Sequence, residues 1–269
     1  MNKLFILLFL IISFTIIGCY NSSITPISQS KYPTKVGNQW EYQTIYTIEY
    51  YDSTGNIDSV EVLDFGKTIV KIVTEKDSVN GISNLVLFAS YEVSSPDSFQ
   101  KSWYSNSDSG LYVIAYSGAG SSQPVLPKIN STNSFPFLLS NGRMLMPDIS
   151  NLYNSNPLDS IQLFDPPRKV LNYPLTKGAH WIELVYPFYR ERFVDKTLTI
   201  EVPAGMFNCY IVESNWNFST EFTDYINLED GLIRRLVYSD SVRITTLENP
   251  DSLFYARFTS SSQLVNKNF

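Results

Sequence analysis

The sequence is poor in the residues on which many enzymes and most helices depend. Among its 269 residues there are one histidine, two cysteines and six alanines. Because alanine is the best helix former, its scarcity argues against an all-helical fold. Charged residues make up only 17% of the chain, and the formal net charge is −6. These values argue against nucleic acid as a partner, since binding to phosphates requires a basic surface.

The single histidine limits the catalytic devices that the chain could build. His180 is the one residue available as the base of a Ser-His-Asp or Cys-His arrangement. It lies in a turn between Gly178 and Trp181, where a solvated position is expected. The motifs H-E-x-x-H, C-x-x-C and G-x-S-x-G are absent, as is a glycine loop that could hold phosphate. We therefore predict no catalytic, cofactor-binding or metal-binding residue and no enzymatic activity.

Pairs of carboxylates are the enzymatic alternative that stays open. A glycosidase uses two such groups about 5–9.5 Å apart across a cleft. Acids at turns are usually caps or solvated groups, so a carboxylate-dependent hydrolase is the less favoured hypothesis. The same acids could bind Ca²⁺, although no stretch matches a complete calcium loop. The candidate pairs are Asp52 with Asp58, Glu221 with Asp224, and Glu229 with Asp230.

The N-terminus carries the clearest signal. Lys3 is followed by an apolar-to-neutral run from Leu4 to Gly18, which is shorter than the roughly 20 residues needed to span a bilayer. A basic start, an apolar centre and a small residue before the cleavage site are typical of a secretory signal peptide, here residues 1–18.

The end of this segment, Ile16-Ile17-Gly18-Cys19, resembles the lipobox of bacterial lipoproteins. The resemblance implies that the signal is cut before Cys19, that the Cys19 sulfur receives a diacylglyceryl group, and that the new amino group is acylated, for example with palmitate. Several acyl chains hold a protein on a membrane almost permanently. Tyr20 is not the Asp that retains lipoproteins at the inner membrane in some bacteria, which favours the outer membrane. A plain cleaved signal or an uncleaved anchor helix is the alternative.

Residues 19–31 are polar and lack a hydrophobic period, so we predict a flexible tether between the lipid and a folded body. With Cys19 lipidated, Cys209 has no disulfide partner. Cys209 alternates with Phe207 and Ile211 on one face of an expected strand, which predicts a buried and inert thiol.

Two segments share the pattern Y-P-x-x-x-G-x-x-W at identical spacing. Each is followed by a stretch with strand character, and an Asp-(x)-Gly-Leu turn comes later in each half, at Asp108 and at Asp230. The shared order predicts a duplicated β unit, with convergent turn chemistry as the alternative. The structural anchors are Tyr32, Pro33, Gly37 and Trp40 in the first segment, and Tyr173, Pro174, Gly178 and Trp181 in the second.

Strand and turn signals alternate along most of the chain. Between Trp40 and Tyr50 mainly aromatic residues alternate with mainly polar ones, which indicates a half-buried strand. Turns at Asn80-Gly81 and at Val202–Gly205 separate further strands, the second of them shaped by Pro203 and Gly205. The spacing leaves no room for crossover helices, so the sheet should be antiparallel.

The middle of the chain differs from its flanks because it is rich in proline and serine. We predict an N-terminal β half over residues 32–117, a connection over residues 118–172 with one or two short helical turns, and a C-terminal β half over residues 173–269. The connection is the first place where a ligand mouth is expected. The predicted fold class is mainly β, with antiparallel meander sheets forming a curved half-barrel or two similar β halves and few short helices.

The repeated pattern, the hairpin segment V-P-A-G-x-F from Val202 to Phe207 and the late turn from Glu229 to Ile233 together resemble a family of uncharacterised secreted bacterial proteins and lipoproteins. That family is similar to curved antiparallel half-barrels of the lipoprotein-carrier kind. It often has Thr where Met206 stands, which matters little in a turn. The resemblance implies a fold and a location, and it brings no catalytic residues.

The 17 Phe, 18 Tyr and 4 Trp residues have two interpretations. An exposed aromatic face could stack on sugar rings or hold an acyl chain. The favoured interpretation is a filled sheet core with its rim. The residues concerned are Trp40, Tyr42, Tyr46, Trp103, Trp181 and Trp216.

Together these patterns predict a membrane-anchored extracytoplasmic lipoprotein that acts as a binding or envelope-structural module without catalysis. Its expected partners are the membrane, through lipidated Cys19, and a lipid, a glycan or an envelope protein. A lipid or lipoprotein carrier is the first alternative and would need a dry apolar cavity. The hydrolase would need an open cleft with two inward carboxylates. A filled core with a flat aromatic patch would favour the binding module.

Overall fold

The computed structural model describes residues 30–94, 96–97, 100–117, 137–138, 143–146, 161–185, 189–216, 220–246 and 254–269. Every regular element in these ranges is a β-strand. The predicted mainly β class is confirmed. The few short helices expected alongside the strands do not occur within the described ranges, and most of the predicted connection lies outside them.

The strands are numbered in chain order. They are β1 Gln39–Tyr51, β2 Ile57–Val79, β3 Ile82–Glu92, β4 Gln100–Ser107, β5 Gly110–Ser117, β6 Phe137–Leu138, β7 Arg143–Met146, β8 Ile161–Asn172, β9 His180–Leu184, β10 Arg190–Val202, β11 Gly205–Trp216, β12 Thr220–Asn227, β13 Gly231–Thr246 and β14 Phe254–Asn268.

Strands pair antiparallel along one path in the order β8-β5-β4-β3-β2-β1-β14-β13-β12-β11-β10-β9, and β7 pairs with β13 and β6. Strands β1 to β5 with β8 form one meander, and β9 to β14 form a second. The two meanders join where β1 pairs with β14. The end strands β8 and β9 also contact each other. The indole N–H of Trp181 in β9 donates a hydrogen bond to the carbonyl oxygen of Lys169 in β8 at 3.0 Å. The curved antiparallel sheet is nearly closed into a barrel-like shape.

Strand β1 has the alternation that the sequence predicts. Every second residue from Trp40 to Tyr50 is buried, and the residues between them are partly exposed. The predicted turns also form. Asn80 and Gly81 have φ angles of 47° and 81° in the β2–β3 hairpin, where a left-handed backbone is required, and Gly205 has φ of 130° in the β10–β11 hairpin.

Strand β8 occupies the last part of the predicted connection, which therefore ends earlier than expected. Ile161–Asn172 pair with β5. Pro166 and Pro167 obscure this strand in the sequence because proline cannot donate a hydrogen bond to a ladder. The structure places them in a bulge: Val113 pairs with Arg168 and Ala115 with Leu163, so residues 164–167 lie opposite a single residue of β5.

The predicted aromatic core is confirmed for the side chains that the structure describes, and the side chain of Trp216 lies outside them. Close ring contacts link its members to further aromatic residues, as between Trp40 and Phe88, whose ring centroids are 6.3 Å apart. The buried members are Trp40, Tyr42, Tyr46, Trp103 and Trp181.

Cys209 is buried on the same face of β11 as Phe207 and Ile211, as predicted. Burial raises the pKa of the Cys209 thiol to about 12, and the negative charge of Asp230 acts in the same direction. A thiol with this pKa is almost entirely protonated at neutral pH, so it is a poor nucleophile.

Candidate functional site

The two anchor segments found in the sequence meet in the interior. The backbone N–H of Tyr32 donates a hydrogen bond to the phenol oxygen of Tyr173 at 2.9 Å, and this phenol donates to Asn106 Oδ1 at 3.2 Å. The side-chain amide of Asn106 donates to the carbonyl oxygen of Tyr32 at 2.9 Å. Burial raises the pKa of both phenols above the usual range, so both are neutral. The starts of the two meanders are thereby joined.

The other anchors take equivalent places in the two meanders. Trp40 and Trp181 are the second residues of β1 and β9, and each indole N–H donates to a backbone carbonyl, that of Asp230 at 2.7 Å and that of Lys169 at 3.0 Å. Gly37 and Gly178 precede them with φ angles of 95° and 81°. These are the equivalences that a duplicated unit predicts. Pro33 is partly exposed, and Pro174, Pro203 and Gly205 are exposed.

The acids of the predicted pairs serve different local roles. Asp52 accepts hydrogen bonds from the backbone N–H groups of Thr54 and Asn56 in its own turn. Glu221 and Asp224 point to opposite faces of β12, since Glu221 is exposed and Asp224 is buried. Asp58 is exposed on β2, Glu229 is exposed in the β12–β13 turn, and Asp230 pairs with Lys267.

His180 and Cys19 complete the predicted candidates. The His180 ring is exposed as expected, with Nε2 at 3.0 Å from Glu191 Oε2. Cys19 lies outside the described residues, as does the rest of the signal segment.

A buried ionic network crosses the interior of the sheet. It joins side chains from β8, β9, β10, β12 and β13, and each of these side chains is at most 5% exposed. The members of the ionic network are Arg168, Glu183, Arg190, Arg192, Asp224 and Arg235.

Each carboxylate of the ionic network contacts several guanidinium groups. Arg168 Nε donates to Glu183 Oε1 at 2.8 Å, and Arg190 Nε lies 2.7 Å from Glu183 Oε2. Arg192 connects the two acids, with Nη1 at 3.7 Å from Glu183 and Nη2 donating to Asp224 at 2.5 Å. Arg235 pairs with Asp224 through two nitrogens, in the two-pronged geometry that guanidinium and carboxylate groups favour.

Both acids of the ionic network are ionised. Burial by itself would raise the pKa of Glu183, but Arg168, Arg190 and Arg192 outweigh it and hold that pKa well below its usual range. Burial likewise opposes ionisation of Asp224, and Arg235 and Arg192 lower its pKa. Carboxylates held in this way cannot act as proton donors at neutral pH.

The ionic network closes the sheet at the junction of its two ends. Arg168 belongs to β8 and Glu183 to β9, and among the described residues no backbone ladder joins these two strands. Side chains therefore bridge the place where backbone pairing stops. Breaking such a buried pair by removing one partner is strongly destabilising, because the other charge stays buried without compensation.

Sequence analysis missed the ionic network, although a signal for it exists. Asp224 alternates with the buried Phe222 and Ile226, and Arg235 alternates with the buried Ile233 and Val237. A charge in phase with core residues along a strand indicates a buried, paired charge. The partners themselves cannot be identified this way, since they depend on which strands are neighbours.

A second candidate site lies on the outer face of β2, β1, β14 and β13. We call this surface the outer patch. Pairing places Val60 beside Glu49, Glu49 beside Arg257, and Tyr51 beside Tyr255. Val60 is 55% exposed, the neighbouring Val62 is 63% exposed, and Tyr255 is 49% exposed. The members of the outer patch are Glu49, Tyr51, Val60, Val62, Tyr238, Asp240, Tyr255 and Arg257.

Arg257 is fixed at the centre of the outer patch. Its guanidinium carbon lies 5.7 Å from the centroid of the Tyr51 ring and 5.5 Å from that of Tyr238, so the cation contacts two aromatic rings. Nη1 donates to Glu49 Oε2 at 3.2 Å, and Nε lies 3.9 Å from Asp240 Oδ1. A side chain already held in place loses little conformational freedom when a partner binds.

Among the described residues, no group of three or more His, Cys, Asp and Glu side chains is arranged to hold a metal ion. No helix in the described part of the chain has the length and hydrophobicity of a membrane span.

Comparison with known proteins adds little. No protein family profile and no curated protein match the sequence. One matching solved structure is a candidate lipoprotein from Parabacteroides distasonis, with 12% identity, a TM-score of 0.26, and coverage of 88% of this chain and 97% of that chain. Another is a candidate exported protein with a YmcC-like fold from Bacteroides fragilis, with 12% identity, a TM-score of 0.31, and coverage of 90% of this chain and 100% of that chain. At TM-scores this low, neither likeness carries a conclusion about this protein.

Proposed function

We propose that the protein is a membrane-anchored lipoprotein of the bacterial cell envelope, on the outer membrane, and that it acts as a binding module through the outer patch. The observation that carries the binding role is Arg257, fixed between Tyr51 and Tyr238 on an outer face that also carries the exposed Val60 and Val62 two strands away. Tyrosine and arginine are enriched among the residues that dominate binding energy at protein interfaces. Exposed apolar side chains on the same face are typical of interaction surfaces.

The location in the envelope is supported by the N-terminal sequence. Residues 1–18 have the pattern of a secretory signal, and Ile16–Cys19 resemble a lipobox. Diacylglyceryl and acyl groups on Cys19 would hold the body at a membrane.

The described part of the interior favours a binding module that uses the outer patch over a carrier that holds an apolar ligand inside the sheet. The ionic network occupies the interior on the side of β8, β9, β10, β12 and β13. An acyl chain placed against these charges would gain little, since charged groups are not stabilised by contact with hydrocarbon. The hydrolase alternative finds little support there either, because both interior carboxylates are ionised and engaged by arginines.

Anchoring is tested by labelling the producing bacterium with an alkyne analogue of palmitate. The wild-type protein should be labelled and sediment with membranes, and Cys19→Ser should lose the label and be released. Cys209→Ser, which removes the buried thiol, is the matched control and should keep the label. Equal labelling of Cys19→Ser and the wild type would overturn the anchor.

The binding role is tested with a photo-crosslinking amino acid at single positions in intact cells. Val62 and Tyr255 probe the outer patch, and Met206, which is 71% exposed at the start of β11, is the control. The two patch positions should give the same discrete crosslinked product, and position 206 should not. The same products from all three positions, or none from the patch, would contradict the proposal.

A further inference from the structure

The strand directions place several turns at the end of the sheet where the chain enters the fold. Neighbouring strands are antiparallel, so β1 and β9 begin at the end where β10 turns into β11 and where β14 ends. The backbone N–H of Ala204 in the β10–β11 turn donates to the carbonyl oxygen of Leu264 in β14 at 3.2 Å, so these two parts are in contact. We call this end, formed by residues 31–38, 203–206 and 268–269, the anchor end.

Three large apolar side chains are exposed at the anchor end. Val36 is 50% exposed in the turn before β1, Met206 is 71% exposed at the start of β11, and Phe269 is 51% exposed just after β14. Exposed apolar side chains that lie together on a polar background mark sites of contact with proteins or membranes.

A lysine connects two of these positions. Lys267 Nζ lies 5.0 Å from the centroid of the Phe269 ring and 5.3 Å from that of Phe207, so the ammonium group contacts both rings. Met206 directly precedes Phe207 in β11. The Phe269 ring also contacts Trp40, with 5.3 Å between centroids, which holds it at this end. Aromatic rings beside a lysine that can extend its charge toward headgroups suit a membrane interface.

The charged residues around the anchor end nearly balance one another. Two acids are paired with lysines, and a third accepts a hydrogen bond from the backbone N–H of Val36. Binding to lipid at this end therefore depends on buried apolar area and not on attraction to anionic lipids. The residues are Lys31 with Asp108, Lys267 with Asp230, Glu75, and the exposed Lys35, Lys177, Glu201 and Glu229.

The length of the tether determines which end of the sheet meets the lipid. Cys19 lies twelve residues before Lys31, a distance of at most about 43 Å when the chain is fully extended and about 20 Å for a flexible coil. Strand β1 alone is about 40 Å long. The opposite end also has exposed apolar residues, such as Val185 at 57%, but it could touch the bilayer only with the tether fully stretched.

We infer that the anchor end lies against the lipid surface and that Val36, Met206 and Phe269 enter the boundary between headgroups and acyl chains. The inference rests on the proposed anchor at Cys19 and adds a second contact with the membrane. A short tether holds the anchor end at a high effective concentration near the bilayer, so a few apolar side chains suffice. This contact fixes the direction of the sheet relative to the bilayer, which a flexible tether alone does not.

The inference is tested with the intact, anchored protein added to phosphatidylcholine vesicles, with and without lipids that carry a nitroxide on the acyl chain near the headgroup. A fluorescent label is attached at Val36→Cys or Met206→Cys, and Val62→Cys in the outer patch is the matched control because Val62 is 63% exposed. Cys209 is buried, so the introduced thiol is the one that reacts. The nitroxide lipid should quench the label at positions 36 and 206 by at least about twofold, since interfacial side chains lie about 5–10 Å below the headgroups. Fluorescence at position 62 should not change.

A matched pair of substitutions tests the role of the apolar side chains. In protein labelled at Val36→Cys, Met206→Asp should reduce the quenching by about twofold, because a carboxylate is unfavourable at the depth of the acyl chains. Val62→Asp makes the same change at an exposed position of the outer patch and should have no effect.

Equal quenching at positions 36, 206 and 62, or equal effects of Met206→Asp and Val62→Asp, would overturn the inference. Flotation of the protein with the vesicles without quenching at positions 36 and 206 would leave the proposed anchor standing and remove only this inference. Failure of the protein to float with the vesicles would remove both.

Discussion

Gly231 lies so close to the Tyr32 ring that a β-carbon at this position would come within 2.9 Å of the phenol oxygen. The Tyr32 oxygen accepts a hydrogen bond from the backbone N–H of Leu232 at 3.3 Å. Trp40 approaches the same turn, with its indole nitrogen 3.0 Å from the position of that β-carbon. The turn between β12 and β13 is thus packed directly on the first anchor segment.

Gly231→Ala should destabilise the protein by more than Gly55→Ala does. Both glycines have a left-handed backbone, with φ of 86° and 84°, so both substitutions carry the cost of about 1 kcal/mol for placing a side chain there. Only at Gly231 does the added methyl group also meet Tyr32 and Trp40, since nothing lies within 4 Å of the corresponding position at Gly55. Urea denaturation measures the free energy of unfolding of both variants. Equal losses of stability would show that the β12–β13 turn can shift to accommodate the methyl group without cost.

Tyr173→Phe should lower the free energy of unfolding by about 1–3 kcal/mol, because it leaves the buried N–H of Tyr32 without its acceptor. Tyr255→Phe removes a hydroxyl from a half-exposed ring and should have almost no effect. The comparison is made by urea denaturation followed by tryptophan fluorescence. Equal stability of the two variants would mean that water or another group replaces the Tyr173 oxygen.

Asp224→Ala should cost about 3–5 kcal/mol, since it leaves Arg192 and Arg235 buried without their carboxylate. Asp195→Ala is the surface comparison. Asp195 pairs with Lys196 at 3.0 Å in a half-exposed position, and such pairs contribute about 0–1 kcal/mol. The two variants are compared by thermal and urea unfolding, and a small effect at Asp224 would show that the ionic network can rearrange.

The stabilisation from the ionic network should decline in acid. The pKa values of Glu183 and Asp224 are depressed in the folded protein, so the unfolded chain takes up protons first as the pH falls below about 4. The contribution is complete above that pH and is lost as the pH falls toward the folded values. The difference in unfolding free energy between the wild type and Asp224→Asn should be constant from pH 7 to 5 and shrink below about pH 4. A constant difference down to pH 3 would contradict this assignment.

Cys209 should resist alkylation in the folded protein. Its side chain is buried and its thiol pKa is raised to about 12, and the thiolate is the form that reacts with iodoacetamide. Labelling at pH 8 should be slow without denaturant and fast in 8 M urea, as followed by intact mass. Fast labelling of the native protein would show that β11 opens readily.

The sequence predicts the local structure better than the contacts between distant strands. The alternation in β1 and the turns at Asn80-Gly81 and Val202–Gly205 depend on neighbouring residues, and all three are found. Strand β8 is not predicted from the sequence because Pro166 and Pro167 are typical of a loop. In the structure a bulge at residues 164–167 accommodates both prolines within the strand.

Neither candidate site could be assembled from sequence. The pairing of Glu49 with Arg257 and that of Arg168 with Glu183 depend on which strands become neighbours. Cys209 was predicted correctly because strand alternation alone decides its burial.

The length of β1 determines how far the outer patch would stand from a lipid surface. The tether expected at residues 19–31 reaches the fold at Tyr32, just before β1 begins, and Tyr51 is at the other end of this 13-residue strand. At about 3.4 Å per residue the two ends are about 40 Å apart. A body anchored at the Tyr32 end of β1 would hold the outer patch well above the lipid headgroups. Large partner proteins could then reach the patch without contacting the bilayer.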